Sequence, residues 1–184
     1  MRILFQGRVD LWDKRGGDTI QIEETAKELR KLGVGVDIVN NWKLNLSSYD
    51  LVHIFQLDWV CESYLYALNA KKQNKKLVLS PIHHSEREVI EFEEFLRSSF
   101  RRFVNPIFPS QESKDVLKNV YRSLFDLRKM YPTLLSIFYG YRKEQKEVLE
   151  MSDIVLAQTN KEAEDLRTDF KSEFIWKKIA LGVG

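Results

Sequence analysis

The sequence is poor in the residues that form disulfide frameworks and metal sites. It contains one cysteine, Cys61, and three histidines among 184 residues. A single cysteine cannot form an internal disulfide, which is compatible with a reducing compartment. His83 and His84 are adjacent, but neighbouring loop histidines do not readily chelate one metal, and no cysteine or carboxylate stands at ligand spacing from them. We therefore predict no metal site.

Long hydrophobic runs and an excess of charge are also missing. No stretch approaches the roughly 20 apolar residues of a membrane span, and the apolar start at residues 1–6 is too short for the core of a signal peptide. The 29 basic and 27 acidic residues leave a formal net charge of +2, which gives no argument for nucleic-acid binding. We expect a cytoplasmic protein without a nucleic-acid partner.

What the sequence does contain is an alternation of short apolar runs with helical patterns, which is typical of parallel βαβ units. Strands are predicted at residues 2–6, 36–39, 51–55, 77–79, 154–157 and 174–181. Helices are predicted between Asp18 as N-cap and Gly33 as stop, at residues 58–69, 86–103, 113–129 and 133–150, and after Thr159, which forms a capping box with Glu162. The pattern predicts one α/β domain over residues 1–184, with a Rossmann-like, doubly wound, mostly parallel sheet. A helical insertion after the fourth strand covers about residues 85–132.

Ligands of such sheets bind outside the carboxyl ends of the strands, where the strand order reverses. The loops to inspect are therefore residues 7–18, 56–59, 80–86 and 158–160. Gly16 and Gly17 precede the first helix, where backbone N–H groups and the helix dipole favour a phosphate or sugar. The alternative is a flexible turn. The glycine spacing does not match the dinucleotide fingerprint, so a nicotinamide-dependent oxidoreductase is disfavoured.

The loop after the fourth strand carries His83 and His84. Imidazoles at this position can donate to sugar hydroxyls or phosphate and can transfer protons near neutral pH. One of the two could instead cap the following helix. His53 lies within a predicted strand, between Val52 and Ile54, and we expect a structural role for it.

Two further loops carry candidates for binding a polar acceptor. Asp10 and Arg15 lie in the charged first loop, where carboxylates accept from sugar hydroxyls and basic groups bind phosphates. The alternative is a solvated surface loop. Asp58 and Trp59 follow the third strand, and Trp59 could stack on a sugar face or pack in the core.

The predicted helix at residues 89–103 combines aromatic residues with Arg97, Arg101 and Arg102. A basic amphipathic face of this kind can bind an anionic membrane surface. The glutamates at the start of the same helix would be repelled by such a surface, so core packing with a solvated charged face is the favoured interpretation.

Taken in order, these features resemble the amino-terminal domain of family 4 glycosyltransferases of the GT-B fold. The similar elements are the first strand, the Gly16-Gly17 loop, the strand at residues 50–54, the strand ending at His83, the segment at residues 151–159 and the exit at residues 178–184. Leu181 departs from the asparagine usual at that exit. The resemblance spans most of the chain and weakens between about residues 85 and 132.

The resemblance implies a retaining, metal-independent glycosyltransferase that needs no cofactor and uses a nucleotide-sugar as donor. It places Gly16 and Gly17 beside the donor diphosphate, and His83, with His84 as the alternative, near the reacting sugar. The donor-binding carboxy-terminal domain would be absent from this chain, which we therefore expect to be inactive alone. The acceptor would be a glycan, a lipid-linked sugar or a small molecule, with peripheral membrane contact. The alternative is a non-catalytic α/β ligand-binding or regulatory module.

Overall fold

The structure is a computed structural model, and it describes residues 1–58, 60–83 and 126–179. The strands are β1 (Arg2–Gln6), β2 (Gly35–Ile38), β3 (Leu51–Phe55), β4 (Lys76–Ser80), β5 (Ile154–Ala157) and β6 (Trp176–Lys178). The helices are α1 (Gly17–Lys31), α2 (Val60–Lys72), a short 3₁₀ helix (Leu127–Lys129), α3 (Met130–Tyr139), α4 (Tyr141–Met151) and α5 (Asn160–Phe170). The helices predicted at residues 86–103 and over most of 113–129 lie outside the described residues, as does the membrane contact predicted from the first of them.

The six strands form one sheet in the order β2-β1-β3-β4-β5-β6. Every pair is parallel, which confirms the predicted Rossmann-like, doubly wound α/β fold. The boundaries of β1, β3 and β5 follow the apolar runs, because strands covered on both faces of a parallel sheet are largely apolar. β5 begins and ends where the sequence predicts it, whereas β6 is restricted to three residues.

Two hydrophobic clusters lie on opposite faces of the sheet. Ile3 and Phe5 of β1 belong to the smaller cluster, which includes side chains of α1. Leu4 lies in the larger cluster, which includes side chains of α2, α4 and α5. This alternation along β1 is the period-2 geometry of a strand. The two clusters fix the positions of the helices and hence of the loops that precede them.

Three local predictions are wrong. The N-cap of α1 is Gly16 rather than Asp18, because the carboxylate of Asp18 is used in an ion pair with Arg8. The helix predicted at residues 133–150 is two helices, because Gly140 has a positive φ of 102° that ends α3 and lets α4 start in a new direction. The helical pattern at residues 58–69 predicts an inward-facing Leu68, but this side chain is exposed.

Candidate functional site

The carboxyl ends of β1 and β3 form the topological switch point of the sheet. β1 pairs with β2 on one side and with β3 on the other, so the connections after β1 and β3 leave in opposite directions and open a crevice between them. The loops at this side of the sheet are residues 7–16 after β1, 56–58 after β3, 81–83 after β4 and 158–159 after β5. We call this region the carboxyl edge and treat it as the candidate site.

The loop after β1 is fixed by the buried guanidinium of Arg8. Its Nε donates to Asp18 Oδ2 over 2.6 Å, and its Nη1 donates to Asp10 Oδ1 over 3.0 Å. Asp10 Oδ2 also accepts from Lys129 Nζ at 2.7 Å. Burial opposes ionisation of Asp10, but the hydrogen bond and charge of Lys129, together with Arg8, hold the pKa of Asp10 below its usual value. The loop is therefore held to α1 and to the 3₁₀ helix by charged hydrogen bonds.

The structure separates the predicted acceptor-binding residues. Asp10 is buried within the Arg8 network. Arg15 is exposed and forms an ion pair with Glu23 of α1. Asp58 is partly exposed and is bonded to His83, and Trp59 lies outside the described residues. Among the described members of this set, Asp58 is therefore the one whose carboxylate lies at the carboxyl edge and is accessible to solvent.

The glycine pair lies at the start of α1, as predicted, but its two members differ. The N–H of Gly16 donates to Thr19 Oγ1 over 3.1 Å. A Cβ atom at Gly16 would lie 2.9 Å from Asp18 Oδ1, whereas a Cβ atom at Gly17 would meet no atom within 4 Å. Gly16 is therefore required for the close approach of the Asp18 carboxylate, and the space beside Gly17 is open to a ligand.

His83 is held between two carboxylates. Its Nδ1 lies 2.7 Å from Asp58 Oδ1, and its Nε2 lies 3.0 Å from Asp169 Oδ2. Burial favours the neutral ring, but the two carboxylates outweigh it and raise the pKa of His83 to about 9. The ring is an imidazolium at neutral pH, with both N–H groups engaged. His84, the second predicted catalytic residue, lies outside the described residues.

The backbone at the carboxyl edge is strained at two residues. Gln56 and Ile82, which follow β3 and β4, have φ values of 78° and 49°, a region that costs a residue with a side chain on the order of 1 kcal/mol or more. The N–H of Gln56 donates to Ser80 O over 2.8 Å, which continues the ladder. Among the described residues, Gln56 Oε1 is buried and accepts no hydrogen bond. The switch point therefore combines backbone strain with an unsatisfied acceptor.

Glu162 ties the loops after β4 and β5 together. Its Oε1 accepts from the backbone N–H of His83 over 2.9 Å, and its Oε2 accepts from that of Gln158 over 2.6 Å. The N–H of Glu162 itself donates to Thr159 Oγ1, which confirms the predicted cap. The predicted capping-box carboxylate thus also positions the histidine loop.

His53 has the structural role expected from its place in a strand. Its Nε2 lies 2.9 Å from Ser80 Oγ, and its ring stacks on Phe55 at 4.1 Å between centroids. Burial lowers the pKa of His53 to about 3, so the ring is neutral at physiological pH.

Three residues of the carboxyl edge and its support were missed by the sequence reasoning. They are Arg8, Lys129 and Asp169, whereas Gln56 lies in the loop at residues 56–59 that the sequence singles out. Each is a single polar residue without a motif, and the contacts of Lys129 and Asp169 join segments far apart in sequence. The one available signal was the position of Arg8, which lies two residues after the apolar strand β1.

Within residues 1–58, 60–83 and 126–179, no group of three or more His, Cys, Asp or Glu side chains is arranged to hold a metal ion. In the same part of the chain, no helix has the length and apolar character needed to cross a membrane.

Comparison of the chain with protein-family models, with curated proteins and with solved structures finds no match.

Proposed function

We propose that this chain is the amino-terminal, acceptor-side domain of a retaining, metal-independent glycosyltransferase. The observation that carries the proposal is Gln56, which follows β3 at the switch point with a strained backbone and an unpaired buried amide oxygen. A buried acceptor without a partner costs about 1–3 kcal/mol, and rotation of the Gln56 side chain toward the crevice would let a hydroxyl of a bound ligand donate to it. Sugars carry many hydroxyl donors, and the resemblance to glycosyltransferases also implies a sugar ligand.

In this proposal the loops after β1, β3 and β4 have separate roles. The open space at Gly17 receives the diphosphate of a nucleotide-sugar at the start of α1, where the helix dipole favours an anion. Asp58 and Gln56 accept from acceptor hydroxyls. The charged Nδ1–H of His83 holds Asp58 in position, and the resemblance points to His83, or to His84 next in sequence, as the residue that orients the transferred sugar. The acceptor is a glycan, a lipid-linked sugar or a small molecule, and catalysis takes place in the cytoplasm or at the membrane surface.

The donor-binding half is a carboxy-terminal domain of a longer protein. Isothermal titration calorimetry with a panel of nucleoside diphosphate sugars tests this division on the present chain and on the product of the complete reading frame. We expect tight binding and sugar transfer from the longer product and little binding by this chain. Tight donor binding by this chain alone would contradict the division of the site.

The role of Gln56 has a sharper test. Replacing Gln56 by glycine relieves the positive φ and removes the unpaired oxygen, so we expect no loss of stability and a fall of at least about tenfold in transfer by the longer product. Asn74 also has a positive φ and lies away from the carboxyl edge, so Asn74→Gly is the matched control and should leave transfer unchanged. Unchanged transfer by the Gln56 variant would remove the residue from the site.

A non-catalytic ligand-binding module is the second candidate. It is favoured by one observation, namely that both ring nitrogens of His83 are bonded to carboxylates. These bonds keep the ring positively charged, which suits electrostatic positioning better than proton transfer. Ligand binding by the longer product with no turnover of any donor would support this module.

A further inference from the structure

Helix α3 buries a mixed side, on which Leu135 and Tyr139 pack against the larger cluster, and leaves most of its large apolar side chains exposed. A helix on the surface of a globular protein buries its apolar stripe and exposes polar residues. In α3 and the 3₁₀ helix before it, the buried positions are occupied by Lys129, Pro132, Thr133 and Ser136. The exposed positions are occupied by six large apolar residues, Leu127, Met130, Tyr131, Leu134, Ile137 and Phe138.

The six exposed residues form one continuous stripe, which we call the α3 stripe. Their spacing of three and four residues places them on one side of a helix. Phe138 is 87% exposed and Leu127 is 75% exposed. With about 200 Å² for each fully exposed side chain of this size, the stripe presents on the order of 700 Å² to solvent. That area exceeds what monomeric proteins usually leave uncovered in one apolar patch.

The polar side of α3 is held to the rest of the domain by specific hydrogen bonds. Ser136 Oγ bonds to the buried carboxyl of Glu144, and Tyr139 OH donates to Glu147 Oε1 over 2.6 Å. Rotating the helix to bury the stripe would break these bonds and expose the buried carboxyl. These hydrogen bonds therefore fix the orientation of α3, and in that orientation the stripe faces away from the domain.

We propose that the α3 stripe is the contact surface for a second copy of this chain. The area per copy is close to the roughly 800 Å² that each partner buries in a standard interface. Methionine, tyrosine and phenylalanine are enriched in the cores of such interfaces, whereas lysine and acidic residues are depleted. The sequence of α3, MYPTLLSIFY, contains no charged residue. Two copies of one helix related by a twofold axis are self-complementary, because each stripe meets the same stripe of its partner.

A membrane surface fits the same stripe less well. Interfacial helices carry lysine and arginine along their polar side, but α3 has none. At its start, Arg128 is paired with Asp13 and Asp126, and Lys129 is paired with Asp10.

Sedimentation velocity across the micromolar range tests the proposal on this chain and on the longer product. We expect a concentration-dependent dimer. Leu134→Glu, at the centre of the stripe, should raise the dimer dissociation constant by at least about 30-fold while the far-ultraviolet circular dichroism stays unchanged. The matched control is Ile20→Glu, since Ile20 is an exposed apolar residue of α1 and its replacement should leave the dimer intact.

A mixture of two variants separates a lost contact from a misfolded chain. Leu134→Glu and Leu134→Lys should each be monomeric, and their mixture should recover a heterodimer because the opposite charges meet at the axis. A monomer at all concentrations would overturn the proposal, and so would a dimer that Leu134→Glu does not weaken. Flotation of monomeric wild-type chain with neutral or anionic vesicles would assign the stripe to a membrane and would equally overturn it.

Discussion

The imidazolium of His83 makes the stability of the domain depend on pH in a defined window. The pKa of His83 is raised from 6.5 to about 9 in the folded chain, so the folded state binds the proton more tightly than the unfolded state. The resulting stabilisation is complete below pH 6.5 and is lost as the pH rises through 9. At 1.36 kcal/mol for each pKa unit, the loss amounts to about 3 kcal/mol.

Urea denaturation between pH 6 and pH 9.5 measures this contribution. The wild-type free energy of unfolding should fall by about 3 kcal/mol across that range relative to His83→Gln, which lacks the titrating ring. Lys161→Gln is the control for loss of a positive charge, because Lys161 is an exposed residue of α5 and its replacement should change stability by less than about 0.5 kcal/mol.

Nuclear magnetic resonance reports the pKa of His83 directly, since the sequence has three histidines and their ring signals are easily separated. Asp58→Asn and Asp169→Asn should each lower the pKa of His83, because each removes one of the carboxylates bonded to it. A ring that titrates near 6.5 in all three proteins would refute the two-carboxylate explanation.

Three further predictions concern stability and are checked by urea denaturation. Burial raises the pKa of Glu144 to about 7, so the stabilisation from its bound proton is present below pH 4.5 and lost as the pH rises through 7. Glu144→Gln should therefore be more stable than wild type by about 3 kcal/mol at pH 8 and nearly equal to it at pH 4.5. A stability difference that does not change with pH would contradict this. Arg8→Met leaves two buried carboxylates without their guanidinium and should cost about 3–5 kcal/mol; a cost below 1 kcal/mol would show that Arg8 is not needed to neutralise them. Gly16→Ala should destabilise the domain because its Cβ atom would lie against Asp18, whereas Gly17→Ala, with open space around it, should be neutral or stabilising by up to about 1 kcal/mol; equal effects would contradict the steric argument.

The sequence predicts the parts of this fold that depend on local patterns. β3 and β5 match their predicted residues, because each is a short apolar run bounded by polar residues. The Thr159 N-cap is also confirmed, since it is a local motif contained within four residues, whereas the carboxylate of Glu162 accepts from the N–H of Gln158 rather than completing the capping box.

The sequence does not predict which partner each polar group selects. Asp18 looks like an N-cap, yet Arg8 takes its carboxylate with two hydrogen bonds, and a bidentate guanidinium supplies a full opposite charge that a backbone N–H lacks. Asp169 and His83 meet although they are distant in sequence, and no periodicity reports that contact. The functional assignments of Gly16, Gly17, His83, His84 and the acceptor residues remain predictions, because they depend on a ligand rather than on the fold.

The parallel pairing of β4 with β5 has a consequence for the order in which the chain folds. The two strands are joined by a connection that runs from Ser80 to Ile154, which a growing chain must complete before Val78 can pair with Ile154. β1 to β4 pair through shorter connections, so they can assemble during synthesis while the second half is still being made. Because loop-closure entropy grows only with the logarithm of length, doubling such a connection costs about 0.6 kcal/mol. The sheet can therefore accept insertions of very different size between these strands at little cost to stability, although a longer connection slows folding.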